Sequence, residues 1–248
     1  MGASVPSWMH WTRAERPRQA VVLAHGVMSH AGWFAGLTRE LALRGTSSIA
    51  VDRYGSGVVR EHASAYDADA WVEQLLAAIE ALRAEQAKVS LFGWCWGART
   101  AVLAARKNTA SHLVLAAPGL AMTASVRARQ AELVASSAEI LALPFPTRDF
   151  SEDAAICDRI EADALAWSGQ PRRFLAPSLA TRDDALASLS TLKMPILALL
   201  AGDDRIVDNH RVSQLLAGHP IETLRGGHAL VLESPALVAE RVVAAIAT

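Results

Sequence analysis

Four short loops hold residue types that could do chemistry together. One reads Gly93-Trp94-Cys95-Trp96-Gly97. An apolar run precedes it and a helical pattern follows. A nucleophilic side chain with glycine two residues to either side marks a sharp strand-to-helix turn that exposes that side chain. Glycine is needed because a Cβ would collide across so tight a turn. The following helix presents backbone N–H groups and a positive dipole end, which favour a thiolate at Cys95. The N–H of Trp96 and that of Val27, in His25-Gly26-Val27-Met28, are the two donors an oxyanion would need. Gly226-Gly227-His228 offers a general base, and Gly202-Asp203-Asp204-Arg205 an acid to hold its imidazole, with Asp204 in that role. A lone Gly-x-Cys-x-Gly is weak, because cysteine is often a small buried filler. Four such loops in the order oxyanion, nucleophile, acid, histidine turn Cys95 into a candidate nucleophile.

The elements that must position these loops alternate. Buried apolar runs over 20–24, 46–51, 89–92, 112–116, 195–200 and 221–224 read as strands. Helical spacing occupies 33–44, 69–84, the stretch from the cysteine turn to about 106, 209–217, and the chain from Pro235 onward. Over 69–84, Trp71, Leu75, Leu76, Ile79 and Leu82 share one face. Strands alternating with helices predict a mostly parallel, twisted sheet with helices on both faces. In such sheets reactive groups collect in loops beyond the carboxyl ends of the strands, where all four motifs fall. The rhythm breaks after Pro118-Gly119. No strand is expected up to about Leu192, only helical pieces over 126–143 and 152–166. The division is therefore core 1–118, helical cap 119–192, core 193–248, an α/β class with an inserted cap.

Bulk properties narrow the function classes. A net charge of −1 over 248 residues gives no reason to expect a nucleic-acid partner. No window is apolar for the length of a membrane span, and the start lacks the basic-then-apolar order of a secretory signal. Gly2 follows the first residue, but Pro6 stands where an acylation motif needs serine or threonine. Two cysteines, Cys95 and Cys157, make no disulfide framework, so a cytoplasmic location is expected. No metal-ligand spacing occurs, and no cofactor or metal is expected. The expected partner is a small-molecule acyl substrate.

The sequence resembles the α/β-hydrolase superfamily over nearly its whole length, and within it the monoacylglycerol lipase and lysophospholipase-like branch. HGVMSHAGWF, VDRYGSG, GDDRIVDN and GGHALVLESP carry the likeness. The resemblance implies Asp204, the aspartate just before the arginine, as the acid rather than Asp203. It departs at the nucleophile, where that branch has serine and this chain has Cys95. The expectation is a hydrolase of esters, thioesters or lactones with a Cys95–His228–Asp204 triad, a thioester acyl-enzyme, and Val27 and Trp96 as the oxyanion hole. Met28, His30 and Trp33 are pocket candidates. His25 is expected to pack under the oxyanion loop without chemistry. The alternative is a lyase or acyltransferase of secondary metabolism on the same scaffold, with His228 as base. A third reading is a non-catalytic ligand-binding homologue.

Overall fold

A computed structural model describes residues 5–65, 67–107, 110–142, 145–166 and 169–247. Gly2, and Leu143 at the end of the expected helix over 126–143, lie outside these residues. The elements run β1 (Met9–Thr12), β2 (Gln19–Ala24), α1 (Ala35–Leu43), β3 (Thr46–Val51), α2 (Ala68–Arg83), β4 (Val89–Trp94), α3 (Gly97–Lys107), β5 (Leu113–Ala116), α4 (Ala124–Ala135), β6 (Ile140–Ala142), α5 (Thr147–Phe150), α6 (Ala154–Glu161), β7 (Gly169–Pro171), α7 (Leu175–Leu189), β8 (Ile196–Ala201), α8 (Asn209–Leu215), β9 (Ile221–Leu224), α9 (Leu230–Glu233) and α10 (Pro235–Ile246).

The main sheet has the order β1-β3-β2-β4-β5-β8-β9. All neighbours are parallel except the β1–β3 pair. Strands β4, β5 and β8 are buried along their whole length, as a sheet covered on both faces requires. Helix α2 buries Trp71, Leu75, Ile79 and Leu82, the face its spacing predicts, and Asp67 caps it by accepting from the Asp69 N–H. This is an α/β-hydrolase fold. Between β5 and β8 the chain leaves the sheet and forms a helical cap, then returns.

Three local expectations need correction. Strand β1 pairs antiparallel with β3 at the sheet edge; its four residues are half-buried throughout, with no alternation to mark it. The cap contains a small two-stranded antiparallel sheet, Ile140–Ala142 with Gly169–Pro171, where no strand was expected. Three residues per strand are too few to leave a periodic signal. The cap helices are also shorter than their spacing suggests. Helix α4 stops at Ala135, where Ser136 turns extended at φ −67°, ψ 145°. Helix α6 stops at Glu161, and two residues on the Asp163 carboxylate accepts the Leu165 N–H at 2.9 Å, closing a turn that competes with helix.

One buried carboxylate ties the loops after β2 and β3 together. Asp52 accepts the Ala31 N–H at 2.6 Å, the Val58 N–H at 2.9 Å, and meets His10 Nε2 at 3.0 Å. Burial alone would raise its pKa; His10, His25 and the two backbone donors outweigh that and hold it at about 2, below the usual 3.8. A depressed carboxylate contributes stability that is complete above pH 3.8 and is lost as pH falls through 2. Asp52→Ala should therefore cost about 3 kcal/mol at neutral pH, since it strands the buried Ala31 N–H and removes the acceptor of the Val58 N–H and the partner of His10. Urea unfolding of both proteins checks this, and the gap between them should shrink as pH drops toward 2. A gap that does not change with pH would refute the ionic role.

Candidate active site

The turn after β4 is as sharp as its sequence implies. Cys95 has φ +55°, the left-handed region that non-glycine residues rarely occupy. Its backbone is fixed on both sides. The N–H donates to Ala116 O at 3.0 Å, and the carbonyl accepts from Gly119 N at 2.8 Å and Ala98 N at 3.2 Å. The glycines are steric necessities. A Cβ on Gly93 would sit 2.6 Å from Ala98 Cα, and one on Gly97 would collide with the Ala24 carbonyl and lie 2.6 Å from His25 O. Strained backbone at such a turn is a hallmark of functional sites.

The loop after β2 lies against the turn. A Cβ on Gly26 would stand 3.5 Å from Cys95 Sγ. His25 braces this loop from beneath, as expected. Its Nδ1 lies 2.8 Å from Gly26 O, its Nε2 accepts the Arg53 N–H at 3.3 Å, and Arg53 Nη2 donates to Gly26 O at 2.7 Å. Burial, reinforced by Arg53, pushes the His25 pKa well below its ordinary value against the opposing pull of Asp52 and Gly26 O, so this ring is neutral. Val27 and Trp96 line the same cavity as Cys95. Among the described residues neither backbone N–H donates to a protein acceptor. Two N–H groups without partners, one on each side of the turn, are the raw material of an oxyanion hole.

His228 and Asp204 meet from the loops after β9 and β8. His228 Nδ1 lies 2.9 Å from Asp204 Oδ2 and 3.1 Å from Oδ1, and both side chains are fully buried. Asp204 Oδ1 also accepts the Ile206 and Val207 N–H groups, each at 2.8 Å. Asp203 is exposed, and among the described residues its one hydrogen bond is from its backbone N–H to Gly226 O. Burial lowers the His228 pKa, but the Asp204 charge, the nearby Cys95 sulfur and their hydrogen bonding raise it more, to about 10. Nε2 has no well-formed hydrogen bond, although Cys95 is close enough to act on it electrostatically. The ring is sandwiched between Trp94 at 5.7 Å and Phe150 at 5.5 Å, and Trp94 Nε1 donates to His228 O at 2.9 Å.

The pocket candidates are placed differently from one another. His30 Nε2 and Trp33 Nε1 both bond Asp163 Oδ2, at 2.8 and 2.7 Å. They clamp the core to the cap instead of lining the cavity beside Cys95. Met28 takes φ +56° and packs half-buried beside the core. Sequence reasoning missed two residues that matter here. Phe150, in the cap, covers His228, and its carbonyl accepts the Ala229 N–H at 2.8 Å; nothing in its local sequence marks it. Arg99 lines the cavity, and its place four residues after Cys95 on a helix was a usable signal. A larger, open groove lined by Arg13, Arg16, Arg18, Arg39 and Arg44, with Glu15 among them, lies at the opposite end of the strands and contains none of the four motif loops. The small cavity at the turn is where Cys95, Val27 and Trp96 come together.

Residues 15–225 match the family model described as serine aminopeptidase, S33. The chain belongs to this family. It is an enzyme of the α/β-hydrolase class. The match ends just before His228, so the histidine's place rests on the geometry above. No curated protein matches the chain significantly. Among solved structures, the chain is similar to a metagenome-derived lipolytic enzyme from a study of LipS and LipT, with TM-score 0.78 and 19% identity over 98% of this chain and 99% of that one. A monoacylglycerol lipase from Paleococcus ferrophilus gives 0.75 and 18% over 95% and 98%. A soluble variant of the Saccharomyces cerevisiae monoglyceride lipase gives 0.80 and 14% over 96% and 90%. At such identities these likenesses show the fold.

The family match corrects the finer expectations. The family is one of serine hydrolases, so a cysteine-nucleophile lipase branch, a Cys-His-Asp triad and a thioester acyl-enzyme are not supported. The lyase, acyltransferase and secondary-metabolism readings fall with them, because the family is hydrolytic. The physical reason for the misreading is that turn geometry constrains the backbone around residue 95 far more than the identity of its side chain.

A raised histidine pKa stabilises the fold fully below pH 6.5 and ceases to do so as pH rises through about 10. Asp204→Asn removes the charge that overcomes burial. The His228 ring should then titrate roughly two or more units lower, read by NMR of ring-labelled histidine with His228→Gln for assignment. An unchanged titration would mean that Asp204 does not hold the imidazole.

Proposed function

We propose that this enzyme hydrolyses carboxylic esters of small acyl groups in the cavity between the turn at Cys95 and the cap. One observation carries the reading: the buried His228–Asp204 pair faces a left-handed turn flanked by the unpartnered N–H groups of Val27 and Trp96. The ester carbonyl oxygen accepts from these two N–H groups, which strengthen their hold as negative charge develops on it. His228 Nε2 takes a proton from an attacking water and returns it to the departing alkoxide, while Asp204 keeps Nδ1 a donor. Cys95 and Trp96 form the floor on which the acyl carbon rests. The lipolytic solved neighbours, which act on esters, agree with this choice.

As it stands the cavity is smaller than any acyl group, so the acyl groups that displace its walls least, the small ones, fit best. Its free space is about 30 Å³, room for a water or two. Leu133, Phe145, Leu175 and Leu179 from the cap close over it, so the acyl group binds against apolar walls. An aminopeptidase substrate fits poorly. Its free ammonium group would need a carboxylate partner, and the cavity lining includes Arg99 but no Asp or Glu.

Short methyl and ethyl esters, followed by pH-stat titration, test the reading. Hydrolysis should be clear with the wild-type enzyme and fall about 100-fold or more in His228→Ala. Because the base form of His228 grows as pH approaches 10, the rate should climb from pH 7 toward that value. Cys95→Ser removes a sulfur that helps raise the histidine pKa and installs the side chain the family name describes. It should raise ester turnover and move the rising limb to lower pH. No hydrolysis of any short ester, or full activity in His228→Ala, would sink the proposal.

A further inference from the structure

Among the residues lining the cavity, Arg99 alone carries a fixed charge. It is almost wholly buried, and among the described residues no carboxylate lies within ion-pair distance of it. Its Nε donates to Gly119 O at 2.7 Å and its Nη1 to Ser178 O at 2.9 Å. A guanidinium has five N–H donors, so three remain after these two bonds. Asp183, the carboxylate that acts on it from a distance, is paired with Arg182 at 2.8 Å. Burial pushes the Arg99 pKa down to about 10, Cys95 and Asp183 raising it and Arg182 lowering it further, so the group is still charged at neutral pH.

Burying a cation without an anion is costly, and backbone carbonyls compensate only part of that cost. The Trp96 ring, its centroid 6.0 Å from the guanidinium carbon, adds only a weak cation–π attraction, so the charge on the cavity wall still lacks an anion. We propose that Arg99 is the subsite for a carboxylate on the acyl group, so that the preferred substrates are half-esters of short dicarboxylic acids. The proposal rests on the ester-hydrolase reading and deepens it.

The shared cavity limits the chain length. Cys95 lies in the left-handed turn ahead of α3, Arg99 lies in the first turn of that helix, and both line the same small cavity. With the scissile carbonyl at the Val27 and Trp96 N–H groups, a short spacer of roughly two or three methylenes keeps the carboxylate in that cavity with the guanidinium. A planar guanidinium can hold both oxygens of that carboxylate through two parallel N–H bonds, a fixed fork that an ammonium group lacks. Gln130, on the cap side of the same cavity, adds a neutral hydrogen-bonding group.

Monomethyl glutarate and methyl valerate have acyl chains of equal length and differ by the carboxylate. The wild-type enzyme should favour the half-ester in kcat/KM by at least about tenfold. In Arg99→Gln that ratio should fall to near one, and Arg99→Lys should lie between. Because Arg99 also holds Gly119 and Ser178, a variant that loses folded protein lowers both rates together and leaves the ratio intact. Glutarate alone supplies a readout without turnover: it should raise the melting temperature of the wild-type protein and not that of Arg99→Gln. A wild-type ratio of one or less, or a ratio unmoved in Arg99→Gln, overturns the subsite. If neither ester is hydrolysed but glutarate still stabilises through Arg99, the ester reading fails and the carboxylate site stands.

Discussion

Everything at this site depends on one close approach of backbone to backbone. The left-handed Cys95 turn is wedged between the end of β2, the start of α3 and Gly119. A Cβ on Gly119 would lie 3.0 Å from both the carbonyl carbon and oxygen of Cys95, and one on Gly97 would strike the Ala24 carbonyl. Only hydrogen atoms fit there. The approach brings the loop before Val27 beside the Cys95 side chain, and Val27 and Trp96 line one cavity with it. The two unpartnered N–H groups therefore follow from packing of the main chain.

Charge is then layered around the turn with opposite treatments on its two sides. Beneath it, His25 is buried next to Arg53 and kept neutral, so it braces the loop without competing for the proton. Above it, His228 is buried equally deeply, but Asp204 reverses the sign of the outcome and the ring holds its proton strongly. Two histidines in similar burial thus differ in charge: burial and Arg53 outweigh Asp52 at His25, whereas Asp204 and Cys95 outweigh burial at His228. Asp204 can do this because the Ile206 and Val207 N–H groups satisfy it from behind.

The sequence carries the sheet and the reacting loops plainly, because both impose local patterns. Long apolar runs mark β2, β4 and β8, and the glycines around Cys95 and before His228 mark turns that no other residue permits. What it does not carry are pairings between distant segments. Phe150 reaches His228 across 78 positions of chain only through the cap fold, and Asp163 meets His30 and Trp33 in the same way. His30 and Trp33 looked like pocket residues from their nearness to Val27, yet a single cap carboxylate turns both toward another task. The identity of the side chain at residue 95 misled for the converse reason. The turn selects a conformation, and a thiol satisfies that conformation as well as a hydroxyl does.

The cap is bonded to the parts it covers, and this shapes how a substrate gets in. Ser178 of α7 is held twice from α3 and the turn, by Trp96 Nε1 to its Oγ at 2.8 Å and by Arg99 to its carbonyl. Asp163 fastens the cap to the loop after Val27, and the Phe150 carbonyl holds the backbone beside His228. Each of these ties ends within a few residues of a reacting group. With about 30 Å³ left between the walls, an ester enters only if α4 or α7 yields. A cap that moved as a rigid body would break all of these bonds at once. Displacement of Leu133, Leu175 and Leu179 alone breaks none of them, because their side chains are apolar and make contacts only by packing. The lower-cost opening is therefore local repacking of the apolar wall, with the polar ties intact and the oxyanion loop undisturbed while the substrate binds.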